Sequence, residues 1–465
     1  MTEPKPHIQM TRFMPRGSFK AASTALIAVV LSYLLYLALP FDSDVNKGLA
    51  LLLFVAILWF SEVVHISVTA LMIPIIAVVM GFEGMDTKSA LSNFADPVIF
   101  IFFGGFALAT ALHMQKLDRK IAFFLVSLAR GNMLVAALLI FAVTAFLSMW
   151  ISNTATAAMM LPLALGVMSH LDRTKHRNSY VFVLLGVAYS ASIGGLGTLV
   201  GSPPNAIAAR ELGWDFAEWM KVGIPMTLIL MPGMVMTLWL VFRPKFDKSA
   251  GDLSSQEPVE WTPIRVVTAL LFVGIALCWI FSSKITALLG TTSTDSLIAL
   301  TAAVLVVVLG CARWQDVVDR TDWGVWMLFG GGITLSKVMQ VSGSSQVLGQ
   351  LVADTFGGAN PLAIIFVVCI FIIILTEFTS NTASAALLVP VFAGVATQMN
   401  MPPEVLVLVI GLGASCAFML PVATPPNAIV FGSGLIRQRE MISAGLVLNV
   451  VCVAIISLFV YFFIY

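Results

Sequence analysis

The chain has 465 residues, of which 59% are apolar and 11% charged, with 25 Lys and Arg against 24 Asp and Glu. Soluble domains average roughly 45–50% apolar and about 25% charged residues, and surface-to-volume scaling gives no soluble fold of this size room to bury so much apolar surface. The composition excludes a soluble protein, and a net charge of +1 excludes a basic field for nucleic acid.

In chain order, residues 1–20 are polar and lack the short apolar core and small-residue cleavage site of a signal peptide. A bilayer crossing needs about 20 mostly apolar residues. Such runs predict spans near 21–40, 46–63, 66–82, 97–115, 180–201, 219–242, 264–283, 294–312, 323–342, 404–423 and 441–463, eleven in all. Residues 1–44 hold the N-terminal tail and the first span. Glu62 and His65 fall between two spans, where a loop or interface role is expected, and His113 and His170 fall near span ends. Lys337 is expected to snorkel. Cys278, Cys311, Cys369, Cys416 and Cys452 lie in apolar stretches without metal or redox spacing, and read as small core residues.

Two further apolar stretches, 132–170 and 361–399, are each interrupted midway by Ser-Asn-Thr. Half-length helices that enter and leave by one side fit them better than single spans. Irregular backbone at membrane depth must be covered by protein or water, so both are read as re-entrant hairpins with a polar tip. Charge supports this. With a cytoplasmic N-terminus and two hairpins that do not cross, 19 Lys and Arg fall inside and 6 outside, a strong positive-inside bias. The C-terminus is then outside. A polar cytoplasmic linker, 244–263, divides the chain into repeats at 45–243 and 264–465.

Three landmarks recur in order. Asp96 with Phe103-Gly104-Gly105 matches Asp322 with Phe329-Gly330-Gly331. Ser152-Asn153-Thr154 matches Ser380-Asn381-Thr382, each with a later proline, Pro162 and Pro390. Ser202-Pro203-Pro204-Asn205 matches Thr424-Pro425-Pro426-Asn427. The offsets are 226, 228 and 222. Five spans and a hairpin per repeat invert the second copy relative to the first. Inverted repeats with broken elements at the midplane characterise secondary transporters. Some channels share the arrangement, so an anion channel stays open on this evidence. The Phe-Gly-Gly pairs read as close-packing positions.

Adjacent prolines remove two backbone donors and restrict the preceding residue. Each Pro-Pro should break its helix, freeing carbonyls near Gly201 and Ala423 for a cation and presenting a helix N-terminus to an anion. The tips add hydroxyl and amide groups. Carbonyl, amide and hydroxyl oxygens suit a hard cation such as sodium, and donors suit a carboxylate. Symmetry suggests two sodium sites flanking one anion. With no Lys or Arg in the four motifs, bound cations and helix dipoles must balance the anion, which is costly to hold alone in a low dielectric. Glu377, beside the second tip and replaced by Met149 in the first, is either functional or a structural hydrogen-bonding group. No nucleophile–base pair or metal-ligand cluster marks an enzyme.

Paired Ser-Asn-Thr motifs, each followed by Ser/Thr-Pro-Pro-Asn, together with Ser67-Val68-Thr69-Ala70-Leu71-Met72-Ile73-Pro74, resemble the divalent anion/sodium symporter family, the INDY-type dicarboxylate and citrate carriers. The resemblance runs from about residue 45 to the end. It implies an all-α polytopic homodimer of eleven spans and two opposed hairpins per chain, in which a transport domain slides as an elevator past a scaffold. By matching positions, a first sodium site would use Ser148, Ser152, Asn153 and Gly201, and a second Thr376, Thr379, Asn381 and Ala423. Substrate carboxylates would meet Asn153, Thr154, Ser202, Pro203, Asn381, Thr382, Thr424 and Pro425. The difference between Ile151 and Thr379 at the tips implies unequal cation sites. The expected activity is sodium-coupled import of succinate, fumarate or malate, with citrate or sulfate symport and dicarboxylate exchange as alternatives. The expected partners are at least two sodium ions, the dicarboxylate, membrane lipid and a second copy of the chain. Compact length and short loops suggest a bacterial inner membrane.

Overall fold

The computed structural model describes residues 16–169, 171–246, 260–291, 294–356 and 358–465. His170 and most of the linker lie outside the described residues, within which all regular structure is helical.

After α1 (Arg16–Ala38), ten helices form the first repeat: α2 (Ser43–Ser61), α3 (Ile66–Met80), α4 (Thr87–Ser92), α5 (Pro97–Met114), α6 (Leu117–Ser127), α7 (Met133–Ser148), α8 (Asn153–Val167), α9 (Arg177–Gly194), α10 (Pro203–Leu212) and α11 (Phe216–Phe242). The second repeat opens with α12 (Pro263–Ile280), then inserts α13 (Ser282–Leu289). It resumes the same order with α14 (Thr294–Val308), α15 (Trp314–Arg320), α16 (Trp323–Val341), α17 (Ser344–Phe356), α18 (Pro361–Thr376), α19 (Asn381–Gln398), α20 (Pro403–Gly413), α21 (Pro425–Gly432) and α22 (Gln438–Phe463). α2 thus corresponds to α12, α3 to α14, and so on to α11 and α22.

Local chemistry sets the boundaries. Proline opens α5, α10, α12, α18, α20 and α21, where its missing N–H costs nothing. Polar side chains cap helix starts as well: Asp96, ahead of the proline of α5, accepts from Val98 N–H at 3.0 Å, Asn132 accepts from Val135 N–H at 3.2 Å, and Asp215 and Glu218 form a reciprocal box at 2.7 and 2.8 Å. Each such cap is worth about 1 kcal/mol. His65 caps α3 by accepting from Ser67 N–H, and Glu62 ends α2 in the left-handed region. His113 Nδ1 lies 3.0 Å from Asp118, and Lys337 donates to Ser89 Oγ at 2.8 Å.

Among the described residues, six helices are long and apolar enough to cross a membrane, or up to eight if each bent pair counts as one span. Two predicted spans are shorter than a full crossing, α3 with 15 residues and α20 with 11, and α7, in the first predicted hairpin, has 16. α20 ends at Gly413, so the span predicted over 404–423 is half helix and half break.

Packing repeats the symmetry. α5 lies on α14 as α16 lies on α3. A Cβ on Gly104 would sit 2.4 Å from Ala299 O, and one on Gly331 2.6 Å from Ala70 O. These glycines let the backbones touch, as expected of close-packing positions. A second set pairs α7 with α9, α18 with α20, α8 with α21 and α10 with α19. The last two pairs bring each hairpin against the break of the opposite repeat. α9 is buried along its length, so the first break is delivered to the interior.

Candidate cation and anion site

α7 stops at Ser148 and α8 starts at Asn153; α18 stops at Thr376 and α19 starts at Asn381. Ser152 Oγ accepts from Ala155 N–H at 3.3 Å, and Ser380 Oγ from Ala383 N–H at 3.4 Å. Each Ser-Asn-Thr is therefore a helix start, with its serine as the cap.

The breaks follow the same plan. α9 ends in a 3₁₀ turn, Gly195–Gly197, and the chain runs irregularly to Ser202; α20 is followed by irregular backbone from Ala414 to Thr424. The asparagine after each Pro-Pro braces its break. Asn205 Nδ2 donates to Gly195 O and Thr198 O, both at 2.7 Å, and Asn427 Nδ2 donates to Ala417 O at 3.1 Å and Leu420 O at 3.0 Å. Thr424 Oγ1 accepts from Asn427 N–H, and the Ser202 and Ser415 hydroxyls meet at 3.2 Å, joining the two breaks.

Tip and break meet in twin oxygen clusters. Ser148 Oγ donates to Ala191 O at 2.7 Å and lies 2.6 Å from the Asn153 amide. Thr376 Oγ1 lies 2.8 Å from Ala414 O and 2.6 Å from Asn381 Oδ1. The Asn153 group also faces Ala191 O at 3.0 Å and Gly201 O at 3.2 Å. Its oxygen there would meet only acceptors, so without a cation its nitrogen must occupy that place and donate. With a cation amid these oxygens, the amide oxygen is the fitting end. The space is kept by glycines: a Cβ on Gly195 would approach Asn153 Oδ1 to 2.5 Å, and one on Gly201 would approach Gly195 O to 2.5 Å. Among the described residues no group of three or more His, Cys, Asp or Glu converges. The donor set is neutral oxygen, as suits an alkali cation rather than a transition metal.

Ser148, Asn153 and Gly201 come together, as do Thr376 and Asn381. Ala423 closes a turn on Leu420 O, next to the Thr424 cap. The Thr379 side chain points away from the second cluster. Its hydroxyl lies 2.9 Å from Leu375 O and 2.8 Å from Ser384 Oγ, inside the hairpin, and Ser380 holds the place that Ser152 holds in the first tip. The matching offset, 228, already pointed to Ser380. Sequence reasoning also left out Asn205, Asn427 and the carbonyls of Ala191 and Ala414. Thr154, Pro203, Thr382 and Pro425 all lie in the first turns of helices that start at the tips or breaks. Ser152 and Thr154 are exposed, whereas Ser380, Asn381 and Thr382 are half-buried, with α19 covered by α2, α16 and α17. The five cysteines are free thiols, four of them buried.

Fold and clusters together define a membrane transporter of the inverted-repeat class. Residues 20–465 match the sodium:sulfate symporter transmembrane region, and the chain belongs to this family, that of the divalent anion/sodium symporters. It is 53% identical over 454 residues to an uncharacterized transporter of Haemophilus influenzae, covering 96% of this chain and 98% of that one. It is 32% identical over 491 residues to the sodium-dependent dicarboxylate transporter SdcS of Staphylococcus aureus, covering 97% and 94%. The fold is similar to the crystal structure of the YdaH transporter of Alcanivorax borkumensis, with a TM-score of 0.53 at 14% identity over 97% of this chain and 99% of that one. MtrF of Neisseria gonorrhoeae gives 0.54 at 12% identity, over 97% and 96%. The family is one of multi-pass transporters, not enzymes.

Proposed function

We propose that this chain is a sodium-coupled symporter of C4-dicarboxylates such as succinate, fumarate and malate. The observation that carries the reading is the pair of oxygen clusters, Ser148–Asn153–Ala191 and Thr376–Asn381–Ala414, each next to a Pro-Pro helix start. One sodium would enter each cluster, the first through Ser148, Ser152, Asn153 and Gly201, the second through Thr376, Ser380, Asn381 and Ala423. The anion would lie between them, on the donors of Asn153, Thr154, Asn381 and Thr382 and on the helix starts at Ser202-Pro203 and Thr424-Pro425. The likeness to the sodium-dependent dicarboxylate transporter supports the substrate class, and the family's name makes sulfate the first competitor to test.

The mechanism follows from charge. A dianion between two neutral-oxygen clusters gains from two adjacent cations what it loses by leaving water. Sodium turns the Asn153 oxygen inward and so points the amide nitrogen towards the anion. Each ligand stabilises the geometry the other needs. Eleven crossings, two hairpins that do not cross, a cytoplasmic N-terminus, an external C-terminus and a homodimer moving its transport domains as elevators complete the reading, in a bacterial inner membrane.

Linkage supplies the test. Sodium must raise succinate affinity, and succinate must raise sodium affinity, by equal factors. Titration calorimetry on purified protein measures both. Unequal factors, or succinate binding indifferent to sodium, would refute coupled occupancy.

A further inference from the structure

The two breaks share one plan but are not held alike. In the first, the chain closes a 3₁₀ turn, Gly195–Gly197, and Gly195 N–H returns to Ala191 O and Ile193 O in its own helix. The second has Ala417, Phe418 and Met419 where the first has Gly-Leu-Gly, and no 3₁₀ turn forms. Its N–H groups converge on one side chain. Phe418 N–H donates to Glu377 Oε1 at 2.7 Å, Met419 N–H lies 2.9 and 3.1 Å from the two carboxylate oxygens, and Leu420 N–H donates to Oε2 at 3.2 Å. Asn449 Nδ2, from α22, adds a donor at 2.7 Å. Glu377 is 2% exposed. Its counterpart Met149 offers only a backbone carbonyl, to the Thr198 hydroxyl.

Packing differs in the same sense. α18 lies along α22. Between the corresponding α7 and α11 runs an apolar groove lined by Leu138, Phe141, Met231, Val235 and Trp239. Both hairpins are bound to their breaks, but only the second packs along the helix that follows its break.

A carboxylate in a nest of backbone N–H groups makes strong, charge-assisted bonds. Without it, three donors at membrane depth have no partner. We propose that Glu377, with Asn449, is a positioning residue that holds the second break against the second tip. The Thr376–Asn381 half-site is then assembled with or without a cation, and the first half-site is the one its cation orders. The proposal rests on the sodium-symport reading and assigns the two sites different duties.

Hydrogen exchange of the purified full chain, in saturating sodium and in potassium, tests it. In the unmodified protein, amides 418–420 should be protected in potassium and change by less than about twofold in sodium, while amides 198–202 should slow by roughly tenfold. Glu377→Gln should speed amides 418–420 in potassium by roughly tenfold, leave 198–202 unchanged, and raise half-saturating sodium by about fivefold through the smaller competent fraction. Asn449→Leu should act in the same direction more mildly, and carries the test if Glu377→Gln does not fold. Equal protection of both breaks by sodium, no effect of either variant on 418–420, or equal loosening of both breaks would each overturn the proposal. The hold on 418–420 is read in potassium alone. A chain in which sodium protects neither break, yet Glu377→Gln frees 418–420, would retain the clamp and lose the sodium reading.

Discussion

The Arg177 guanidinium grips the Glu440 carboxylate with two hydrogen bonds, Nε at 3.0 Å and Nη2 at 2.8 Å, between residues 263 apart. Arg177 opens α9 and Glu440 lies in the first turn of α22. The pair ties the helix that delivers the first break to the helix that carries Asn449. Bidentate geometry makes it stronger than a common surface pair, though both groups are partly exposed. Arg177→Met should cost about 1 kcal/mol, seen as a lower thermal midpoint in detergent, with the sodium dependence of uptake unchanged. A shifted sodium dependence would mean that the pair reaches the site.

Asn153 and Asn381 are both expected to matter. Replacing either with Ala removes an amide oxygen from its cluster, a loss of about 2 kcal/mol, or roughly thirtyfold in sodium affinity. Sodium-dependent thermal stabilisation measures it. Normal binding by either variant would remove that residue from the cation set.

At the second tip, Ser380→Ala should weaken sodium binding as Ser152→Ala does at the first, with about 1 kcal/mol of helix stability lost at each cap. Thr379→Val should lower stability by its bonds to Leu375 and Ser384 and leave half-saturating sodium within about twofold. The opposite ranking would restore Thr379 to the site.

Two glycine substitutions separate space from flexibility. Gly195→Ala drives a methyl into Asn153 and should abolish sodium-dependent uptake while the protein still reaches the membrane. Gly432→Ala, in α21, meets nothing within 4 Å and should be neutral or stabilise by up to about 1 kcal/mol. Uptake by Gly195→Ala equal to that of Gly432→Ala would show that the cluster is not used.

Much of this architecture is legible in the sequence because it is written in proline, glycine and polar residues set in an apolar field. Pro203-Pro204 and Pro425-Pro426 announce the breaks, and Ser152 and Ser380 announce helix starts. The carbonyls of Ala191 and Ala414 leave no such mark, since any residue type supplies one. Glu377 stood out as a buried acid, but its partners lie 41 to 72 residues away and appear only once α18, α22 and the break are packed. Spans were hardest to count by hydropathy. Helices such as α20 stop at the break while the apolar sequence runs on.

Sodium-coupled transport itself is tested most directly by uptake of labelled succinate into proteoliposomes of purified protein, under an inward gradient of sodium and then of potassium. The account predicts saturable uptake that requires sodium and is competed by fumarate but not by chloride. Succinate flux that ignores the cation, or no succinate flux under either gradient, would contradict it.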